Sequence, residues 1–316
     1  MPDPFTHLMA GTLIAKSGLR QHYGWVALMT LMISATFPDI DVLYRPDSSW
    51  KALLHHRGIT HSLFGALILS FLIGGVIYFF APLKRFWLLV GLSALGLCTH
   101  IFLDLCTSWG TQIFAPFSSK RYGWGLISII DRYVLLILLV SVFLSLRGGK
   151  RSATYSKLGL VIFGVYLLLA LFANRSAYRK IAADLGKEGI KSIRITPYPS
   201  NFGPITRWYG VAEGEKAFYY FPRVSIFSQN NDKHQTYPKI GSNRYIERAL
   251  EDESGKLFRW FADYLFIDYR VAEKGKHIVE FWDLRFGGPG RRRSPFHLTL
   301  TFDDKGHLLD TSTSRF

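Results

Sequence analysis

The chain has 316 residues, 49% of them hydrophobic, with a mean hydropathy of +0.14 and a formal net charge of +15. So apolar a composition is unusual for a soluble enzyme, and the length leaves room for two domains. The positive charge is spread over both halves, with 14 Lys/Arg against 6 Asp/Glu up to residue 173 and 24 against 17 beyond it. This spread disfavours a nucleic-acid partner and favours anionic lipid headgroups. Cys98 and Cys106 fall in one apolar block; they make neither a disulfide framework nor a cysteine-type zinc site and read as core residues. The N-terminus lacks a basic run and carries Asp3, so no cleavable signal is expected.

In chain order, apolar blocks at 5–15 and 23–37 come first, each short of the roughly 20 residues that cross a bilayer. Blocks at 62–81, 86–106 and 127–146 are long enough, and one at 158–173 is slightly short. The expected fold class is therefore an α-helical polytopic membrane bundle of about six helices, within a domain spanning residues 1–175. The first two blocks could instead pair as a short hairpin inside the bundle. Connections at 16–22, 82–85 and 147–157 hold eight Lys/Arg and no acid, which assigns that side to the cytoplasm. All six acids of this half (Asp3, Asp39, Asp41, Asp47, Asp104 and Asp131), and every histidine except His22, then fall at the opposite face. Residues 176–316 read as a mostly antiparallel β-rich, α+β domain on that non-cytoplasmic side. Its expected strands are 191–196, 205–212, 217–221, 265–272, 277–284 and 297–302. A helix is expected over 243–265, capped by Asn243 and interrupted at Gly255. The segment 287–293, GGPGRRR, lacks the ending of a phosphate-binding P-loop and reads as a basic surface loop or headgroup contact.

The chemistry-bearing residues concentrate between 37 and 62, FPDIDVLYRPDSSWKALLHHRGITHS. Carboxylates and imidazoles at this density suit a divalent cation such as Zn²⁺ or Mn²⁺. Pro38 marks a helix end, after which Asp39 and Asp41 can ligate metal or divide that task with a base. In HHRGITHS, Gly58 allows a turn that brings His56 and His61 together, with Thr60 as the cap of the next helix. Of His55 and His56, His56 is taken as the inward one. His100 and Asp104 are four apart and share a helix face. His7 joins them by lying on the same face of the bundle. Asp131 and Arg132 sit inside an apolar run. They form either a local ion pair or a pair in which Asp131 supports a ligand imidazole and Arg132 joins Arg57 as a phosphate clamp. Trp109, in a helix-end turn, is read as an interfacial anchor. No nucleophile motif stands out, which leaves metal-activated water as the simplest hydrolytic chemistry.

The early Thr6-His7, the PDID block, the H-R-G-x-T-H-S block at 56–62 and H-x-x-x-D followed by T-x-x-G at 100–110 resemble the YdjM-type family of bacterial inner-membrane metal-dependent hydrolases. The resemblance covers about residues 1–175. That family is distantly similar to zinc-dependent phospholipases C and P1-type nucleases. The likeness implies a hydrolase in which His7, Asp39, His56, His61, His100 and Asp104 ligate metal and Asp41 is a ligand or base. The processed N-terminal Trp of the soluble relatives is missing, which points to one or two ions rather than three. The implied substrate is a phosphoester or diphosphate of a lipid or lipid-linked molecule, drawn from the membrane lipids around the bundle, with Arg57 and Arg132 on its phosphate. The alternatives are a metal-ion transporter or sensor, whose ligands would lie near the bilayer midplane, and a silent scaffold stabilised by a closed metal site.

Overall fold

The computed structural model describes residues 4–44, 54–186, 189–197, 206–227, 233–289 and 296–313. Asp3, Asp47, residue 205 and the three arginines at 291–293 lie outside them. The chain divides into two compact units, the first built mainly from residues up to Asn174 and the second mainly from Arg175 onward.

In the first unit, α1 (Pro4–Ile14) and α2 (Arg20–Thr36) are joined by a π-helical turn, Ala15–Leu19. Gly18 (φ 154°) and Gly24 (φ 70°) break the helical path there. Both angles favour glycine. A 3₁₀ segment, Phe37–Leu43, extends α2, and a second, Ile59–His61, leads into α3 (Leu63–Phe80). Then come α4 (Phe86–Cys106), α5 (Arg132–Arg147) and the 34-residue α6 (Ser152–Leu185). Among the described residues, four segments are long and apolar enough to cross a membrane: Pro4–Leu43, Leu63–Phe80, Phe86–Cys106 and Gly149–Leu185. The expected count of about six is not supported. Two differences account for this: the blocks at 5–15 and 23–37 fall in one segment, Pro4–Leu43, and α5 has only 16 residues, with Asp131 capping its start by accepting from the backbone N–H groups of Tyr133 and Val134. The first two apolar blocks lie side by side, as the hairpin alternative required.

Small residues set that packing. A Cβ on Gly11 of α1 would lie 2.7 Å from the Leu31 carbonyl oxygen and 2.8 Å from the Ala35 Cβ on α2. One on Gly96 of α4 would lie 2.7 Å from the Ser34 Cβ. So α2 is gripped from two sides at the end that leads to Asp39. Farther out, Leu67, Leu72, Phe79 and Phe80 of α3 are exposed, an apolar face that suits lipid and not water. Cys106 is buried but Cys98 is exposed, which corrects the reading of both as core. The helix after His61 is capped by Ser62, whose hydroxyl accepts from Gly65 N–H at 2.9 Å, and not by Thr60.

The second unit contains two four-stranded sheets, each in sequential order, and every registered pair is antiparallel. One holds β1 (Ile190–Pro197), β2 (Arg207–Gly214), β3 (Ala217–Ser225) and β4 (Gln235–Pro238). The other holds β5 (Leu265–Val271), β6 (His277–Asp283), β7 (His297–Phe302) and β8 (Leu308–Thr313). Two helices lie between them in sequence, α7 (Arg244–Glu251) and α8 (Glu253–Phe261). Asn243 caps α7 as expected. The break falls at Asp252, which caps α8, while Gly255 is inside α8 because a Cβ there would strike the Ala249 carbonyl oxygen. The fully buried Arg285 ties this unit together, donating to Asp283, to Asp263 and to the Phe261 carbonyl.

The close approach at α2 has a measurable consequence. Gly96→Ala and Gly11→Ala should each destabilise the detergent-solubilised protein by about 1–3 kcal/mol, the usual cost of overpacking. Thermal unfolding followed by tryptophan fluorescence checks this, and wild-type melting in both variants would contradict it.

Candidate metal centre

Four elements bring the site together. His7 comes from α1, Asp39 and Asp41 from the 3₁₀ extension of α2, His56, Arg57 and His61 from the 54–62 segment, and His100 and Asp104 from α4. His7, His61, His100 and Asp104 are completely buried, and Asp39 nearly so. Asp104 stands at the middle. Its Oδ1 lies 3.5 Å from His7 Nε2, and its Oδ2 lies 3.4 Å from His61 Nε2 and 3.6 Å from His100 Nε2. Asp39 Oδ1 lies 3.5 Å from His61 Nε2 and 3.6 Å from His100 Nε2.

These spacings suit a bound cation better than a network of direct hydrogen bonds. Direct N–H···O bonds run roughly 2.7–3.2 Å, and none of the three Nε2 atoms makes one among the described residues. A tetrahedral ion with ligand bonds of about 2.1 Å instead sets its donor atoms about 3.4 Å apart. The imidazoles and carboxylates thus stand at the edge lengths of a coordination polyhedron. His7, Asp39 and His100 form one buried set of donors, and His61, His100 and Asp104 a second.

The remaining polar contacts aim these donors. His100 Nδ1–H donates to the Ala35 carbonyl at 2.7 Å, which leaves the lone pair on Nε2. His61 Nδ1 is held by Asp41 Oδ2 at 3.2 Å and by the Thr60 hydroxyl at 3.0 Å. Ligand histidines in metal sites are oriented in this way through their second nitrogen. His7 stacks on His100 with ring centroids 3.7 Å apart. Arg57 has φ 59°, a left-handed conformation rare for a side chain of this size; it shares the turn with Gly58, whose φ −87° and ψ −126° lie outside the regular regions. Its backbone N–H donates to Asp41 Oδ2 at 3.0 Å. Its guanidinium lies 2.9 Å from Asp104 Oδ1 and donates to the Thr107 hydroxyl at 3.1 Å.

Several expected roles change. Asp41 belongs to neither donor set: it receives His56 Nδ1 at 2.9 Å, Arg57 N–H, the Thr60 hydroxyl and His61 Nδ1, so its oxygens are committed to orienting others. His56 also lies outside both sets, its ring edge-on to His61 at 5.8 Å and to Trp109 at 6.3 Å. Trp109 is 8% exposed and packs beside the site instead of anchoring at a membrane surface. His55 is exposed and meets Tyr44 edge-on, so His56 is the inward member of that pair. Asp131 is not a partner of any ligand: besides capping α5 it accepts from the Tyr166 hydroxyl at 3.0 Å. Arg132 is exposed on the first turn of α5 and does not join Arg57. Sequence reasoning missed Thr107, whose only signal is its place in T-x-x-G, and the Ala35 carbonyl, which has none.

With this geometry in hand, the comparisons with known proteins narrow the identity. A family model described as YdjM inner membrane protein matches residues 1–177. The chain belongs to the YdjM inner membrane protein family. The matched region contains every residue of the cluster. A relative in Bacillus subtilis strain 168, the uncharacterized protein YfhP, is 28% identical over 302 residues, which is 91% of this chain and 88% of its own. The likeness therefore extends through the β-rich unit. No solved structure matches.

Burial lowers the proton affinity of His61, but its contacts with Asp39 and Asp41 and the charge of Asp104 outweigh this and raise its pKa to about 9. An ion at Nε2 must displace that proton. Below pH 9 the affinity of this YdjM protein for a divalent cation should therefore climb by about a factor of ten per pH unit, and it should level off above. Chelator competition between pH 6 and 8 measures the slope; a flat response would mean that His61 carries no such proton. Asp104→Ala and His61→Ala should empty the site in metal analysis of the purified protein. Asp41→Asn, which disturbs only the orientation of ligands, should weaken binding by about 10- to 100-fold.

Proposed function

We propose that this YdjM family member is a membrane-bound, metal-dependent hydrolase that cleaves a phosphoester or diphosphate of a lipid or lipid-linked substrate. The observation that carries the reading is the pair of overlapping buried donor sets, His7–Asp39–His100 and His61–His100–Asp104, in a helical unit whose outer face suits lipid. Zn²⁺ fits the mixed imidazole and carboxylate donors, and Mn²⁺ is a second candidate. A divalent ion held there lowers the pKa of water toward neutrality and draws charge from a phosphoryl oxygen.

The chain's own groups divide the remaining work. His56 is the least buried imidazole of the cluster at 11% exposure, and Asp41 holds its Nδ1. That arrangement leaves the lone pair on Nε2, which is buried and without a partner among the described residues, and suits a base that takes a proton from water inside the site. Arg57 steadies Asp104 from the buried side of the cluster. The partly exposed members, Asp39, Asp41 and His56, mark the rim at which substrate arrives. The basic connections at 16–22 and 82–85 fall at the other ends of the helices that carry the cluster, which supports a site on the non-cytoplasmic side.

A second reading, a structural ion in a scaffold, is favoured by the complete burial of His7, His61, His100 and Asp104. One experiment separates the two. Purified protein assayed on a panel of lipid phosphoesters and diphosphates should hydrolyse at least one, lose that activity to chelator and regain it with Zn²⁺ or Mn²⁺. His56→Ala should keep its metal and lose about 10²–10⁴-fold in rate, the scale of general-base catalysis. Metal-loaded protein that hydrolyses nothing on the panel, with a melting point that collapses on chelation, would establish the structural ion instead.

A further inference from the structure

The far end of α1 carries a separate polar constellation. Lys16 follows His7 by nine residues, about 13 Å along the axis at the helical rise. Its side chain is 4% exposed, and its ammonium forms no hydrogen bond or ion pair among the described residues. It lines a cavity of about 330 Å³ together with Arg20, Gln21, Ser145, Gly149 and Ser152, and no carboxylate lines that cavity. Two cations border this cavity with no carboxylate on its lining to balance them, which favours an anion there. Lys16 and Arg20 are also four residues apart, a spacing at which like charges repel on a helix.

The opposite wall is built from hydroxyls. Ser145 is buried, and its Oγ lies 2.7 Å from Ser156 Oγ, 3.1 Å from Ser152 Oγ and 3.2 Å from the Ser152 carbonyl oxygen. Behind them α5 and α6 pack so closely that a Cβ on Gly159 would lie 2.3 Å from Ser141 Oγ, so this wall cannot collapse inward to fill the space. Two cations facing hydroxyl groups across a persistent cavity are the elements of a phosphate-binding site.

We propose that this cavity binds a phosphate group, carried either by the headgroup of an anionic lipid or by a free phosphate, between Lys16 and Arg20 on one side and Ser145 and Ser152 on the other. The site shares no residue with the metal cluster and holds whether or not the chain is a hydrolase.

Two arms on the full-length protein test it. In the first, protein released from nanodiscs is examined by native mass spectrometry after loading with phosphatidic acid or with phosphatidylcholine, whose choline cancels the headgroup charge. In the second, calorimetry in a neutral detergent compares inorganic phosphate with chloride at equal ionic strength. Retention of phosphatidic acid at least fivefold over phosphatidylcholine identifies a lipid site, and saturable phosphate binding identifies a site for the free anion. Either signal should fall at least fivefold in Lys16→Gln, with metal content unchanged. Arg20→Gln, an exposed position, serves as the second variant should Lys16→Gln fold poorly. Absence of both signals, or signals untouched by Lys16→Gln and Arg20→Gln alike, overturns the proposal.

Discussion

Three buried or nearly buried carboxylates, Asp39, Asp41 and Asp104, face a single buried guanidinium, that of Arg57. With the imidazoles neutral, this leaves a surplus of two negative charges in a region of low dielectric. Burial of uncompensated charge costs several kcal/mol per ion even after relaxation, far too much to leave standing in a fold whose total stability is of order 10 kcal/mol. A divalent cation cancels the surplus, and protonation of His61 cancels half of it. The geometry of the first unit serves this balance. The glycine contacts at Gly11 and Gly96 grip α2 at the end that delivers the Ala35 carbonyl and Asp39, while α1 and α4 supply the donors facing them.

Within the cluster, orientation and ligation are assigned to different atoms. Asp41, Thr60 and the Ala35 carbonyl occupy the second nitrogens of His56, His61 and His100, and Arg57, itself held by Thr107, pairs with Asp104 Oδ1, so that the Nε2 atoms of His7, His61 and His100 converge on Asp39 and Asp104. One consequence bears on ion number. His100 belongs to both donor sets, yet its Nδ1 is tied to Ala35 and only Nε2 remains. An imidazole nitrogen has one lone pair, so His100 serves one ion. Asp104 would hold such an ion through Oδ2, which faces His61 and His100, while its Oδ1 faces His7 and is paired with Arg57.

Much of this was legible in the amino-acid sequence. His7, Asp39, His61, His100 and Asp104 stood out because apolar surroundings make each ionisable side chain expensive, and so conspicuous. The strand regions of the second unit were legible from runs of β-branched and aromatic residues. What escaped notice had physical reasons. β4 is four residues long and β8 is exposed along almost its whole length, so neither shows the alternation that marks a half-buried strand. Asp131 stood out by the same cost argument as Asp104, but its carboxylate is satisfied by backbone N–H groups and Tyr166, partners that lie beyond any local spacing rule. The different roles of Asp39 and Asp41, two residues apart, were equally out of reach. Which carboxylate keeps a free oxygen depends on hydrogen bonds from residues 15 to 20 positions away.

The uneven enclosure of the cluster bears on what such a site can do. A purely structural ion gains nothing from a graded wall, because closed coordination is satisfied when every donor is equally shielded. Here shielding is complete at His7, His61, His100 and Asp104 and incomplete at Asp39, Asp41 and His56. The incompletely shielded side is also the one bearing an imidazole that no donor set uses. The Asp41–His56 pair stands close to those donor sets, and His56 Nε2 is buried and without a hydrogen-bond partner among the described residues, which suits the base role proposed for it. The same asymmetry explains why Arg57 is spent on Asp104: a cation on the buried side stabilises the ligand carboxylate without obstructing the open one.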